Sequence, residues 1–212
     1  MKPETDRRSL FAVVFEVRPD PAHKEDYLHI AGALRPELEK VTGFLENERF
    51  ASQSRKGVLL SLSLWDDEKA LVRWRTVAMH ARAQEQGRAV VLADYHLRVG
   101  EVTRVTGPFA DRPVGWMRHD ETDVGEARAL SLVDAAPGAG SLASATDAGW
   151  LHAETFEHLH DIGRTVTLMS WRGIGEAEAF AARAVGDGVR TYAIRVIRDY
   201  GMNDRREAPQ YR

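Results

Sequence analysis

The feature that most constrains this chain is a block that occurs twice. Between Val58 and Gly87 a run of alternating side chains ends in Trp65, meets Asp66 and Asp67, and gives way to a helix-period stretch. A weaker copy returns over Thr165–Val185 as TVTLMSWRGIGEAEAFAARAV. One supersecondary unit used twice restricts the fold to two similar modules. Within the first run Val58, Leu60, Leu62 and Leu64 share one face, and Leu59, Ser61, Ser63 and Trp65 share the other. The purely apolar face is expected to pack against helices and the mixed face to line a cavity. Asp66 and Asp67 suit a helix start, because a carboxylate accepts from free backbone N–H groups and complements the positive helix end. Ala70, Leu71, Trp74, Val77 and Ala78 then recur at helical spacing, with an interruption expected between Thr76 and His80.

Taken in order, Leu10–Val17 is β-branched and aromatic, as a buried strand is. Asp20-Pro21 reads as an N-cap with proline in the first turn, and Tyr27, Ile30, Ala31, Leu34, Leu38 and Val41 form one helical stripe that ends at Gly43. Pro36 is expected to bend that helix. Leu45–Ser52 is a second strand, Gln53–Gly57 a hairpin loop into the third, and Tyr95–Arg104 a fourth. The order strand, helix, strand, strand, helix, strand is that of a ferredoxin-like module. It predicts an α+β fold of two such modules, residues 1–107 and 123–212, joined by a Pro-containing linker over 108–122. In the second module Ala127–Val133, His152–His158, Thr165–Trp171 and Thr191–Arg198 answer the four strands, and Tyr192-x-x-Arg195-Val196 echoes Tyr95-x-x-Arg98-Val99. The first helix has no counterpart there, since the intervening APGAGSLASATDAG holds a turn or two of helix at most. The second module is thus a reduced copy.

Absence of cysteine removes disulfides, iron–sulfur ligands and thiolate nucleophiles. A net charge of −3 with mixed signs gives no basic stripe for nucleic acid. No apolar run approaches the ~20 residues that span a bilayer, so a soluble, cytoplasmic protein without membrane or nucleic-acid partners is expected.

The block WDDEKALVRWRTVAMHARAQEQGR followed by YHLRV resembles the hallmark of the antibiotic biosynthesis monooxygenase family, and VIRDYGMNDRREAP resembles the tail that often follows it. The resemblance implies ferredoxin-like sheets packed face to face as an α/β barrel, built either by the two halves of one molecule or by two chains that exchange halves, a homodimeric assembly, and oxygenation of anthrones or phenols without a cofactor. It also brings in haem-degrading relatives. Those use a helix histidine, a tryptophan before it and a first-strand asparagine. Here Trp74 stands six residues before His80, closer than in those relatives, and LFAVVFEV has no asparagine, so haem is disfavoured and no cofactor is expected.

Candidate site residues follow from position. His80 is the one histidine of the block and can serve as a general base or cap a helix. Trp65, at a strand end on the mixed face, can stack on an aromatic substrate or fill the core; Trp74 lies on a helix stripe. Arg49 can hold a phenolate or carboxylate, with Asn47 beside it on the second strand. Ser61 and Ser63 supply hydroxyls, and Tyr95 a phenol, although its echo at Tyr192 argues for a structural part. His152, Glu154, His158 and His160 alternate along an extended segment, yet nothing supplies further metal ligands and no metal is expected. Gly173-Ile174-Gly175 lacks the third glycine of a dinucleotide loop, Glu178 standing in its place. The two functional readings are a cofactor-independent monooxygenase acting on a small aromatic molecule, with His80, Arg49 and Trp65 in catalysis, and a non-catalytic or haem-like ligand-binding barrel.

Overall fold

The computed structural model of the chain describes residues 9–115, 123–139, 149–184, 186–204 and 206. Among these, the alternating segments form eight strands: β1 (Phe11–Pro19), β2 (Phe44–Ser52), β3 (Leu59–Trp65), β4 (Leu92–Val105), β5 (Ala129–Ala135), β6 (Trp150–His158), β7 (Thr165–Trp171) and β8 (Val189–Gly201). Four α-helices accompany them: α1 (Lys24–Glu39), α2 (Glu68–Thr76), α3 (Ala78–Gln86) and α4 (Ile174–Arg183). Residues 140–148 of the 136–149 segment expected to hold little helix lie outside the described residues, as does much of the linker. No described helix is long and apolar enough to cross a membrane.

The strands close into one antiparallel barrel in the order β1-β3-β2-β6-β7-β5-β8-β4. The two α+β modules therefore share a barrel built by a single chain. Their sheets join at two seams, a short one where Phe50–Ser52 pairs with Phe156–His158 and a long one between β4 and β8. Leu60, Leu62 and Leu64 point inward, with Ala12 and Val14 of β1, Leu130 and Leu132 of β5, Leu168 of β7 and Ile194 of β8. The expectation that this face meets helices is overturned, and the helices cover the mixed face instead. The physical reason is that the centre of a small barrel is dry and filled by side chains, so it selects the face without hydroxyls.

Aliphatic packing gives way to charge at both barrel ends. At one, Glu16 accepts from Arg98 and Arg55, Arg55 also binds Glu154, and Arg98 donates to Ser170 Oγ at 3.0 Å. At the other, Asp134 binds Arg164 and Arg190, and Glu48 faces His158 at 2.8 Å. Glu154 and His158, which the sequence placed together, thus serve opposite ends.

The ladders fix which positions correspond between modules. Trp65 pairs with Phe11 and Trp171 with Ala129, so these are equivalent pairs. Counting along the strands then matches Tyr95 with Val189 and Arg98 with Tyr192, because Tyr95 faces Val17 and Val189 faces Ala135. The Tyr-x-x-Arg-Val echo is therefore out of register by three residues, and Tyr192 gives no argument about Tyr95. Register follows backbone pairing and face, which a five-residue match does not encode.

Local signals set the helices that matter for the site. Asp20 accepts from Ala22 N at 2.8 Å and leads through a 3₁₀ turn at Pro21–His23 into α1. Pro36 is tolerated inside α1, four residues beyond Gly32, where added side-chain bulk would meet nothing. Asp67 caps α2 through Ala70 N at 2.6 Å. Val77 then takes an extended ψ of 125°, which ends α2 and starts α3, as the interruption expected there requires. Gly43 turns the chain into β2 at φ 92°, where a Cβ would also lie 2.7 Å from that of Ala70.

Candidate active site

On the outer face of the first module the sheet and its helices do not close completely. They leave a cavity of about 260 Å³ between β1–β4, α1, α2, α3 and the π-helical turn Gly87–Val91. Its floor is two cross-strand rows. One runs Arg49, Ser61, Phe15, Leu97, and the next Asn47, Ser63, Val13, Val99. The floor is polar at the β2 end and apolar over β1 and β4. Tyr27, Ile30 and Leu34 of α1 and Leu71, Trp74 and His80 of the α2–α3 arm form walls.

The cavity brings together His80, Arg49, Trp65, Trp74, Ser61, Ser63, Asn47 and Tyr95. Their environments differ. Trp65 is 1% exposed, edge-on to Phe44 at 5.4 Å, with its indole N–H donated to Ser63 Oγ at 2.9 Å. Its ring is mainly core, and little of it is offered to a ligand. Asn47 donates from Nδ2 to Ser61 Oγ at 2.9 Å and to the Leu62 carbonyl at 3.2 Å, so these side chains brace one another.

His80 stacks on Trp74, ring centroids 4.4 Å apart and planes 14° from parallel. Its Nδ1 lies 3.1 Å from the Trp74 carbonyl oxygen, which can only accept, so Nδ1 carries the proton and Nε2 keeps its lone pair, 3.5 Å from the Gln84 amide nitrogen. Burial pushes this imidazole down to about 4, with the nearby Arg75 charge adding to the effect. It is neutral at physiological pH and accepts hydrogen bonds. As a base it is weak, since its conjugate acid gives the proton back readily.

Arg49 Nε is buried without a hydrogen-bond partner, and among the described residues its guanidinium forms no ion pair. Its interaction is with Tyr27 on α1, whose hydroxyl burial pushes up and the arginine charge pulls down. Helical periodicity marked Tyr27 only as a stripe residue; the signal available was a phenol on an otherwise aliphatic stripe. Four arginines, Arg49, Arg75, Arg88 and Arg198, line the cavity against one carboxylate, Glu68. The arrangement suits an organic anion, because its charge meets a cation in a site poor in water. Arg198 and Tyr200, which also line it, come from β8 of the second module and were not foreseen.

Comparison with known proteins identifies the family. The profile of the antibiotic biosynthesis monooxygenase family matches residues 10–86, the part of the chain that forms most of the cavity. A protein of Pyricularia oryzae named jasmonate monooxygenase ABM is 43% identical over 216 residues, 95% of this chain and 98% of its own. Among solved structures, a protein of Fusobacterium nucleatum is similar over 91% of this chain and 94% of its own at 6% identity and a TM-score of 0.44. A structure described as an antibiotic biosynthesis monooxygenase is similar over 42% of this chain and 94% of its own, at 17% identity and a TM-score of 0.38. At these scores the structural likenesses add nothing to the assignment, which rests on the extent of the sequence match. The chain is a monooxygenase that belongs to the antibiotic biosynthesis monooxygenase family.

Proposed function

We propose that the chain oxygenates a small, mainly apolar organic acid in the first-module cavity, with the anion on Arg49 and the Tyr27 hydroxyl. The observation that carries this is the buried, unpartnered Arg49 Nε at the polar end of an otherwise apolar floor. A cation so placed gains most from an anionic ligand. The 43% identical relative is named for jasmonate, an acid of this class, and a volume near 260 Å³ suits one ring with a short chain. That volume lies below the usual ~300–1,000 Å³ of ligand pockets and is small for a porphyrin, which disfavours the haem reading.

The proposal includes oxygenation without a bound cofactor. One oxygen atom of O₂ then enters the product and the other leaves as water, with all electrons drawn from the substrate. A methylene activated by a neighbouring carbonyl satisfies this. It loses a proton to give a carbanion, passes one electron to O₂, recombines to a peroxide, regains the proton and expels water to leave a ketone. The protein's part is to orient the substrate, exclude water and hold the anion, while Nε2 of His80 accepts from a substrate O–H or takes the proton transiently.

A phenol or anthrone is the second reading. It is favoured by the aromatic side chains Phe15, Trp74 and Tyr95 in the same cavity, with the deprotonated oxygen on Arg49. Oxygen uptake and ¹⁸O₂ incorporation with jasmonate, related cyclic keto acids, anthrones and hydroquinones in metal-free buffer separate the two. The account expects uptake with an anionic substrate and a loss of about 10–100-fold in kcat/KM for Arg49→Gln. Uptake confined to neutral compounds and indifferent to Arg49→Gln would sink both.

A further inference from the structure

The first-module cavity receives side chains from the second module through a bulge in β8. Leu97 pairs with Tyr200 and Val99 with Arg198, yet the next pair is Gly100 with Val196, which leaves Ile197 as one extra residue. A single insertion reverses which face the following side chains take. Tyr192, Ile194 and Val196 accordingly point into the barrel, whereas Arg198 and Tyr200 line the cavity outside it. They extend the two floor rows by one strand, so that the rows run from Arg49 to Tyr200 and from Asn47 to Arg198.

Arg49 and Arg198 thus stand on the two outermost strands of one floor. Three strands lie between theirs along the curved sheet, and these carry the apolar residues Val13, Phe15, Leu97 and Val99 into the space between the two arginines. Tyr200 is fixed by Arg75 at the end of α2, whose guanidinium donates to the phenol oxygen at 2.9 Å. Among the described residues Arg198 makes no ion pair.

We infer that Arg198 forms a second acceptor-recognising subsite, so that the substrate class is an elongated apolar acid carrying a carbonyl or second carboxylate at the end opposite the one on Arg49. This rests on the anion-binding role proposed for Arg49. Oxygen atoms at both ends of the ligand satisfy both guanidinium groups, whereas a monoacid of equal length leaves an apolar end against Arg198.

The test is calorimetric binding of straight-chain α,ω-diacids, from succinate to sebacate, beside monoacids of matching length, to the full chain. The expected result is an optimum at an intermediate length and a preference of about 10-fold for the diacid there. Arg198→Gln should abolish that preference, Arg198→Lys should keep part of it, and Arg49→Gln should weaken both ligands. Thermal melts verify that each variant folds. Equal binding of diacid and monoacid to the unaltered protein, or a preference that survives Arg198→Gln, overturns the second subsite alone. If Arg49→Gln leaves all binding unchanged, the anion-binding reading falls with it.

Discussion

The two modules carry the same tryptophan at the end of the same strand and use it differently. Trp65 and Trp171 are each 1% exposed, and each donates its indole N–H to a serine at 2.9 Å. Over Trp65 lie α1, α2 and α3, with a cavity beneath them. Over Trp171 lies α4, whose Ala177, Phe180 and Ala181, with Ala184 just past the helix end, press onto Ala129, Val133, Met169 and Ala193. Phe180 stands 5.5 Å from the indole and takes up space that the first module leaves open. The floors diverge too. Arg49, Ser61, Phe15 and Leu97 correspond to Thr155, Thr167, Val133 and Thr191, and Asn47, Ser63, Val13 and Val99 to Ala153, Met169, Ser131 and Ala193. Arg198 has a counterpart in Arg104, which is exposed. The barrel needs both modules for its dry centre, whereas a ligand site needs only one helical layer to stand off its sheet.

The largest effect should come from cutting the modules apart. Residues 1–107 expressed alone would expose the inward face of Leu60, Leu62 and Leu64, so sedimentation should show a dimer or an aggregate. A stable, well-folded monomer of that fragment would mean that the modules do not depend on each other's aliphatic face. Next comes Phe180→Ala, which creates a void under α4. It should cost about 3–5 kcal/mol in denaturant unfolding while leaving turnover per folded molecule unchanged.

A smaller effect separates the modules by pH. His80 is held near 4 in the folded chain by burial, against an ordinary 6.5 when unfolded. Between those values the unfolded chain binds a proton that the folded one refuses. Stability is therefore fully present above about pH 6.5 and declines as pH falls toward 4, by up to about 3 kcal/mol. His80→Gln should flatten that part of the profile. If the variant keeps the same slope between pH 6.5 and 4, the imidazole is not buried as described.

Much of this architecture was legible because strand alternation, the Asp67 cap and the Val77 break are local. The alternation of Leu59, Ser61, Ser63 and Trp65 marks the mixed face of β3 as a cavity lining, and Ser61, Ser63 and Trp65 line the cavity. What sequence could not show was long-range. An aliphatic face packs equally well on a helix or on another sheet, so the destination of Leu60, Leu62 and Leu64 was misread. The Tyr95 and Tyr192 echo misled because ladder register is set across strands. Arg198 escaped notice because its exposure to the cavity depends on one extra residue, Ile197, and on pairing between β4 and β8. Tyr27 escaped because its partner Arg49 is on another element.

The central claim is that chemistry occurs in the first-module cavity and not over the second sheet. Ala31 on α1 is 8% exposed and lines that cavity, so Ala31→Phe fills it with a ring. Oxygen uptake with the best substrate of the panel, measured beside the thermal melt, should fall by at least about 100-fold while the protein remains folded. Undiminished uptake by a folded Ala31→Phe protein would contradict the account.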